Sequence, residues 1–253
     1  MDLASAILEA RRERRALAPF GAAAPPDEAA GYALQFEVAR RLNAVPPAGF
    51  KIGATTRRMQ EYLGLSGPAA GFVPSASLLA PGTELRFAGF QSPGVECEIG
   101  VRLARDLPYG PCTEAEALAA VADVFPAIEV VERRYGDLVE LGTPTLIADQ
   151  VFHAAGVLGL APSHWRALDL GAVRGEIFVD GASRGAGHGR DLLGHPMRAL
   201  AWLAGSGAAK VFGGLRAGQV IWLGSVTPPI WLDGPCGVEV SFSGLGAVSL
   251  RLT

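Results

Sequence analysis

Two glutamates separated by one residue stand inside an otherwise apolar segment, Val95-Glu96-Cys97-Glu98-Ile99. The segment has the length and composition of a β-strand, in which residues i and i+2 point to the same face. Two neighbouring carboxylates repel each other, and burial would protonate one of them unless a cation lay between them. Such oxygen pairs suit Mg²⁺, Mn²⁺ or Ca²⁺. The alternative is a half-exposed strand whose glutamates face water while its apolar residues face the core.

A third acid, Glu129, lies in a second apolar strand segment, FPAIEVVE. Three carboxylates would complete an oxygen site for a divalent cation and leave positions open for water and a chelating substrate. This third acid favours the metal site over the half-exposed strand. Glu132 is out of phase with Glu129 along the strand, so we assign it to the surface or to a position behind the ligands.

The chain contains 20 arginines but only two lysines, Lys51 and Lys210. A buried lysine can lose its proton, which arginine does not readily do, so a lysine that persists in an arginine-rich chain is a candidate proton-transfer group. On composition alone, chance is the better explanation of this imbalance.

The elements that must position these residues begin with two helices in residues 1–45, the second capped by Asp27. From Gly49 onward, short strand-like runs separated by Gly and Pro predominate. A capping box at Thr113 and Glu116 predicts a helix over the following segment ALAAVADVF.

The second half of the chain continues this mixed pattern. The segment TLIADQVFHAAGVLGL is apolar and ambiguous between strand and helix, and GEIFVDG with ASRGAG predicts a strand pair. Asp191 is predicted to open a helix that ends at Gly205 or Gly207, and four strands follow it. The fold class is therefore α+β. We expect one domain, with a helical N-terminal segment over residues 1–48 and a strand-rich catalytic body over residues 49–253.

Composition excludes several classes of protein. The chain has 253 residues, of which 49% are hydrophobic and 19% charged, and a net charge of −3. These values indicate a compact globular protein, and the charge balance does not suit a nucleic-acid partner. The basic run over residues 11–15 alternates with Glu9 and Glu13, which is typical of a solvated helix face.

The cysteines and the apolar runs bear on location. Cys97, Cys112 and Cys236 are odd in number and lack metal-binding spacing, so neither disulfides nor zinc is indicated. The apolar runs are shorter than the roughly 20 residues that a membrane span needs. The N-terminal residues lack the pattern of a secretory signal. We therefore expect a cytoplasmic protein without a membrane partner.

Several segments in this order resemble a known family: GFKIG, VECEIGVRLARDL, PAIEVVERR, ADQ followed by GVLG, GHPMRALAWLA and WLGSVTPP. The sequence from about Phe50 to the C-terminus is similar to the 2-oxopent-4-enoate hydratase and 4-oxalocrotonate decarboxylase group of the fumarylacetoacetate hydrolase superfamily. The Glu-x-Glu pair with a later Glu and an upstream Lys is specific as a combination and weak piece by piece.

The resemblance implies a mixed β-sheet rolled into a barrel-like body and a protein that forms homo-oligomers, with a complex with a related decarboxylase as a further expectation. It implies Mg²⁺ or Mn²⁺ as the cofactor. The residues that it assigns to the site are Glu96, Glu98 and Glu129 as metal ligands, Lys51 as the active-site lysine, and Arg134 and Asp149 as catalytic residues beside it. The loop with Gly224, Ser225 and Thr227 matches a glycine-rich loop near the substrate.

The sequence departs from the family pattern at positions that we expect around the substrate. Many hydratases carry an acid in the stretch where this chain has Pro74 and Ser75. Phe152 and His153 stand where the family has small serines, and Gln150 replaces an Asn. The residues expected to contact substrate are thus Ser75, Phe152, His153, Ser225 and Thr227.

A 2-oxo acid can chelate a divalent cation through its carboxylate and keto oxygens, which stabilises an enolate. Lys51 could then transfer protons or, as a cation, hold the carboxylate or enolate, and the residues leave both roles open. The hypothesis is a hydratase that adds water to a small 2-hydroxy-2,4-dienoic or 2-oxo-4-enoic acid, as in the catabolism of aromatic ring-cleavage products.

Three other functions are alternatives to the hydratase. A decarboxylase of the 4-oxalocrotonate type would use the same metal site and need an extra cationic pocket for its dicarboxylate. An acylpyruvate hydrolase of this superfamily would need an N-terminal His/Glu pair, and no histidine precedes residue 150. A non-catalytic partner subunit that retains the fold is favoured by Ser75 and Phe152, whereas Lys51 and the three glutamates count against it.

Overall fold

The structure is a computed structural model that describes residues 2–253. Within these residues the strands are β1 (Gly49–Gly53), β2 (Ala69–Val73), β3 (Leu78–Leu79), β4 (Glu84–Leu85), β5 (Pro93–Leu103), β6 (Val121–Glu132), β7 (His153–Leu158), β8 (Arg174–Val179), β9 (Ala182–His188), β10 (Val220–Ser225), β11 (Ile230–Trp231), β12 (Cys236–Phe242) and β13 (Gly246–Leu252). The helices are α1 (Leu3–Glu13), α2 (Glu28–Arg41), α3 (Arg57–Leu63), α4 (Glu114–Ala119), α5 (Leu138–Leu141), α6 (Thr143–Ala148), α7 (Pro196–Ala204) and α8 (Gly207–Phe212). None of the helices in the described range is both long and apolar enough to cross a membrane.

The larger sheet is mixed and curled. Its strand order is β2-β1-β10-β5-β6-β7-β3, and β11 pairs with β5 beside this path. β1 pairs with β10 in parallel and β3 with β7 in parallel, whereas the other pairs are antiparallel. The sheet curls until β2 and β7 contact each other, which gives it an inner and an outer face. The predicted barrel-like mixed sheet and the α+β class are thereby confirmed.

The smaller sheet has the order β4-β13-β12-β8-β9 and packs on the outer face of β5, β6 and β7. Along β5, the alternate residues Val95, Cys97 and Ile99 are buried in the core between the two sheets. Glu96 and Glu98 therefore point to the inner face of the curled sheet, since side chains alternate along a strand. The half-exposed strand is wrong because β5 lies in the interior of the sheet, between β10 and β6.

The two N-terminal helices are confirmed. The Asp27 carboxylate accepts from the Ala30 N–H at 2.8 Å and caps α2 as predicted. Buried Gln35 on α2 donates through Nε2 to the carbonyls of Ala70 and Ile147, at 2.9 and 2.6 Å. These bonds tie α2 to β2 and α6, so the helical segment packs directly on the sheet.

Two predicted helix boundaries are wrong. The capping box at Thr113 is present, but α4 ends at Ala119 and residues from Val121 enter β6, where pairing with β5 outweighs their helical pattern. The helix expected to open at Asp191 begins at Pro196 instead, where the fixed φ of proline suits the first helical position.

The ambiguous segment TLIADQVFHAAGVLGL contains both kinds of element. Helix α6 ends at Ala148 and β7 begins at His153. Between them, Gln150, Val151 and Phe152 have φ of +63°, +50° and +68°. Three consecutive left-handed residues without glycine are strained, and such strain persists only where the surroundings enforce it.

Two large aromatic side chains pack on the inner face of the larger sheet, where glycines leave room for them. Trp222 and Phe125 form an inner apolar cluster with Val73, Ala127 and Val220. A Cβ on Gly156 would lie 2.2 Å from Trp222 Cζ2, and one on Gly100 would lie 2.3 Å from Phe125 Cε2. The two rings therefore occupy the space above Gly156 and Gly100, which is closed to larger side chains.

We expect Gly156→Ala to lower the free energy of unfolding by about 2–3 kcal/mol, because its methyl group overlaps the Trp222 ring. Urea titration measures the change, and Gly67→Ala is the control because nothing lies within 4 Å of its added Cβ. The double variant Gly156→Ala/Trp222→Leu should lose less stability than the sum of the single changes. Strict additivity would show that the two side chains do not compete for the same space.

Candidate metal centre and active site

Four charged side chains meet on the inner face, next to the apolar ring cluster. Glu96 and Glu98 come from β5, and Glu96 pairs in register with Glu129 on β6. One carboxylate oxygen from each of these three glutamates lies within 4.8 Å of the others. Lys51 on β1 brings Nζ to 3.5 Å from Glu129 Oε1. Alternation along three strands of one sheet, β1, β5 and β6, therefore gathers three acids and one base at one point.

The three carboxylates perturb one another. Burial, and then the charge of Glu129, raises the pKa of Glu96 to about 8. Burial, and then the charges of Glu129 and Glu96, raise the pKa of Glu98 well above its ordinary value. Burial alone would also raise the pKa of Glu129, but the Lys51 charge and a hydrogen bond from His153 lower it. One lysine thus compensates one of three carboxylates.

The donor set fits a divalent cation. Glu98 Oε1 and Glu129 Oε2 are buried and have no hydrogen-bond partner among residues 2–253. An unpaired buried carboxylate oxygen is costly, and a hard cation satisfies several such oxygens at once. Glu96, Glu98 and Glu129 are the residues that would hold the ion.

His153 lies behind this centre and does not line the cavity. Its Nδ1 is 2.8 Å from Glu129 Oε1 and its Nε2 is 2.9 Å from Ser77 Oγ. Burial lowers the pKa of His153, and the neutral ring can donate Nδ1–H to Glu129 while Nε2 lies against the Ser77 hydroxyl, which is also 2.9 Å from the Pro74 carbonyl. The pair orients the Glu129 carboxylate, as outer partners of metal ligands commonly do. Ser77 was not singled out from the sequence.

Arg134 and Asp149 form a buried ion pair beneath the cavity wall. Arg134 Nε donates to Asp149 Oδ2 at 3.0 Å, and the Tyr135 hydroxyl donates to the same oxygen. Arg134 Nη1 also donates to the His153 carbonyl at 3.1 Å. Neither residue of the pair lines the cavity, and Arg134 contacts the backbone carbonyls of Asp149 and His153 at either end of the turn before β7.

Arg11 on α1 corrects the interpretation of the basic run as a solvated face. Its guanidinium donates to the Asp149 carboxylate and carbonyl and to Gln150 Oε1, and its side chain is 21% exposed. Although burial alone would raise the pKa of Asp149, the charges of Arg11 and Arg134 lower it. The sequence carried a signal, since Arg11 lies four residues after buried Ile7 and shares its helix face.

The left-handed residues of this turn form one wall of the cavity. Gln150 Nε2 donates to the Phe72 carbonyl at 2.6 Å, and Val151 N–H donates to the Leu146 carbonyl at 3.0 Å. Together with Arg11 and Arg134 these bonds enforce the strained turn, and Val151 and Phe152 face the cavity as a result.

A cavity of about 170 Å³ opens above the charged centre. Lys51 and Glu96 lie at its inner end, where the lysine is 2% exposed. Arg133 also lines it. The apolar lining includes Met59, Leu63, Val131, Val151, Phe152 and Trp231. With a divalent cation on the three glutamates, the arrangement could hold a small molecule with an anionic end at the charged centre and an unsaturated or apolar middle.

The remaining predicted contacts lie elsewhere. Ser75 is exposed on a single 3₁₀ turn outside the cavity lining, and this position offers no contact to the centre. Ser225 Oγ accepts from the Cys97 N–H at 3.2 Å, and Thr227 N–H donates to Ser225 Oγ at 3.3 Å. Both brace β10 against β5, while Gly224 N–H donates to Glu98 Oε2 at 2.8 Å. This loop therefore positions a ligand carboxylate.

Comparison with known proteins gives a consistent picture. Residues 38–253 match the fumarylacetoacetate (FAA) hydrolase C-terminal family. The chain is 32% identical over 255 residues to a 2-keto-4-pentenoate hydratase of Burkholderia vietnamiensis, covering all of this chain and 97% of the relative. It is 30% identical to a 2-hydroxyhexa-2,4-dienoate hydratase of Comamonas testosteroni, covering 98% and 95%. A solved 4-oxalocrotonate decarboxylase from Pseudomonas putida G7, complexed with magnesium and adipate, superimposes with a TM-score of 0.90 at 25% identity, covering 99% and 96%.

We expect Glu98→Gln to weaken Mn²⁺ binding by more than about 100-fold, since even an outer partner of a metal ligand is worth 10–100-fold. Isothermal titration calorimetry measures the affinity, and Glu239→Gln on an exposed face is the control. Without metal, the same variant should be more stable than the wild type at pH 8, because folding raises the pKa of Glu98 and opposes its ionisation, whereas an amide does not ionise.

The stability of the metal-free protein should depend on pH. When folding raises the pKa of a carboxyl, the unfolded protein ionises at a lower pH than the folded protein. The folded protein therefore loses stability as pH rises, here between the ordinary 4.5 and the value of about 8 for Glu96. Metal-free wild type should therefore become less stable over this range, and Glu98→Gln should flatten the slope. Unchanged metal affinity together with an unchanged slope would contradict the assignment.

Proposed function

We infer that this chain, which belongs to the fumarylacetoacetate hydrolase family, is a divalent-metal-dependent hydratase that adds water to a 2-hydroxy-2,4-dienoic acid. The product is a 4-hydroxy-2-oxo acid, and the enzyme class is a hydro-lyase. The observation that carries the proposal is the convergence of Glu96, Glu98 and Glu129 on one point beside Lys51. The full-length relatives named as hydratases support the reaction type.

Mg²⁺ or Mn²⁺ is the ion that we propose for the three glutamates. Solved structures of family members contain magnesium, calcium or manganese, which supports a divalent ion of the oxygen-binding type. When bound, such an ion would accept the carboxylate and 2-oxo oxygens of the substrate and stabilise the negative charge on the 2-oxo oxygen.

The reaction needs two proton transfers and one addition. In 2-hydroxypenta-2,4-dienoate the 2-hydroxyl loses its proton and the terminal carbon C5 gains one, which gives a ketone conjugated with the C3–C4 double bond. The oxygen of water then bonds to C4, and a proton is added at C3. Lys51, at the inner end of the cavity, is the group that we propose exchanges these protons with the substrate.

The surrounding residues hold this chemistry in place. Phe152 and Val151 line the cavity where we propose that the unsaturated carbons lie. His153 fixes the orientation of Glu129, and the Arg134–Asp149 pair fixes the turn that carries both cavity residues. We therefore propose that Arg134, Asp149 and His153 are positioning residues.

A decarboxylase of the 4-oxalocrotonate type is the second candidate. The observation that favours it is Arg133, a cation in the lining of the cavity, because a dicarboxylate substrate needs a second positive group. The decarboxylase with a TM-score of 0.90 supports the same possibility. Product analysis separates the two reactions, since only decarboxylation releases CO₂.

Assembly into a homo-oligomer, or with a related decarboxylase, is a further proposal. Large apolar side chains at the surface support it: Val139 is 89% exposed and Leu160 is 84% exposed. The cytoplasmic location stays a prediction.

With Mg²⁺, the purified protein should consume 2-hydroxypenta-2,4-dienoate, followed as loss of its diene absorbance, and form 4-hydroxy-2-oxopentanoate. Excess EDTA should stop the loss, and added Mg²⁺ should restore it, because the three glutamates alone cannot stabilise the developing charge. No turnover of this acid or of its dicarboxylate homologue while metal is bound would instead show a non-catalytic subunit.

We expect Lys51→Met to lower kcat by at least about 100-fold, the usual contribution of a proton-transfer group, while Mn²⁺ binding persists. Steady-state kinetics and calorimetry measure the two effects. The matched control is Lys210→Met, which replaces the other, exposed lysine. A Lys51→Met enzyme with wild-type kcat would exclude the lysine from proton transfer.

A further inference from the structure

Arg133 is a cation that the charged centre does not use. It follows the last residue of β6 and lines the cavity, and its guanidinium carbon lies 4.3 Å from the centroid of the Trp231 ring. Its neighbour Arg134 is bound to Asp149 and Glu132, whereas Arg133 takes part in none of the salt bridges found within residues 2–253. Its positive charge is therefore free for a ligand.

The spacing between this cation and the charged centre is set by the sheet. Trp231 pairs with Gly94, where an added Cβ would lie 2.9 Å from Trp231 Cε3. Gly94 precedes Glu96 by two residues on the same face of β5, so the Trp231 ring lies about 7 Å along the strand from the Glu96 position. The missing side chain of Gly94 makes room for the ring at this height.

A six-carbon dicarboxylate fits between the two ends, because Arg133 follows Glu129 by four residues, about 13 Å along an extended chain, which leaves room for the contacts of the ligand at each end. Its two carboxyl carbons are five bonds apart, about 6 Å when the chain is extended, judged from the dimensions of an extended peptide. Between the two ends the wall consists of apolar side chains, including Val131 and Phe152. The cavity therefore presents carboxylate ligands and a lysine at one end, an apolar middle and an arginine at the other end.

Stacking on Trp231 prepares Arg133 for such a ligand. A guanidinium held flat against an indole keeps its N–H edge free, and this edge binds a carboxylate through two parallel hydrogen bonds. The stack also limits the rotamer freedom that binding would otherwise remove.

We propose that Arg133, stacked on Trp231, binds the second carboxylate of the substrate and makes the enzyme selective for unsaturated 2-oxo or 2-hydroxy dicarboxylic acids over monocarboxylic ones. This specificity rests on the proposed function, because it takes the 2-oxo acid end to lie at the three glutamates. It applies equally to hydration and to decarboxylation.

Binding of saturated, unreactive 2-oxo acids tests the proposal without turnover. Isothermal titration calorimetry of the Mn²⁺-loaded full chain compares 2-oxoadipate with 2-oxohexanoate, which has the same length but no second carboxylate. The wild type should prefer 2-oxoadipate by about tenfold or more. Arg133→Gln should reduce this preference to less than about threefold, and Arg133→Lys should give an intermediate value because it keeps the charge without the planar fork.

Arg184→Gln is the control, since it removes one exposed positive charge from β9 on the other sheet and should keep the wild-type preference. A wild type that binds both acids equally, or an Arg133→Gln protein that keeps the preference, would overturn the proposal.

Turnover provides the second arm. The ratio of kcat/KM for 2-hydroxyhexa-2,4-dienedioate to that for 2-hydroxypenta-2,4-dienoate should fall by about tenfold in Arg133→Gln, mainly through KM. A protein that prefers 2-oxoadipate through Arg133 but turns over neither acid would refute the proposed function and leave the anion site standing. A protein that turns over the monocarboxylate and the dicarboxylate with equal efficiency would refute the anion site and leave the proposed function standing.

Discussion

Repulsion among three crowded carboxylates, two of them fully buried, is the constraint on which the rest of this structure depends. Glu96, Glu98 and Glu129 each bring one oxygen within 4.8 Å of the others on the inner face of a curled sheet, and Lys51 neutralises only part of their charge. A fold that places such groups together loses stability unless a cation joins them. The surrounding elements can be understood as devices that keep the acids in place and orient them for that cation.

The first device is the sheet itself. Because β5 and β6 are interior strands, the backbone groups on both sides are paired and the glutamates are fixed on the inner face. Trp222 and Phe125 fill the space beside them, and Gly156 and Gly100 make that filling possible. The polar centre therefore rests on a dry apolar base, which strengthens every electrostatic interaction above it.

The sequence predicted this centre well because its signals are local. Alternation within VECEIGVRL and FPAIEVVE places the acids on one face, and the family resemblance supplied Lys51.

Features that depend on contacts between distant segments were predicted poorly. Arg11 belongs by composition to a solvated run, yet packing of α1 brings it onto Asp149. Val121 continues a helical pattern, yet pairing with β5 places it in a strand. Ser75 was expected beside the substrate because a motif aligns there, but the turn that carries it points to the surface.

The strained turn over Gln150, Val151 and Phe152 shows how contacts between distant segments determine local structure near the site. No local propensity favours three left-handed residues in succession, and a β-branched residue at the centre makes the turn worse. Its stability comes from Arg11 and Arg134, two cations about 120 residues apart in sequence, which share one buried carboxylate. The N-terminal helix is thus part of the active-site scaffold although none of its residues lines the cavity. Since the turn sets both the Phe152 wall and the entry of β7 into the sheet, the position of His153 against Glu129 depends on a contact made by the eleventh residue of the chain.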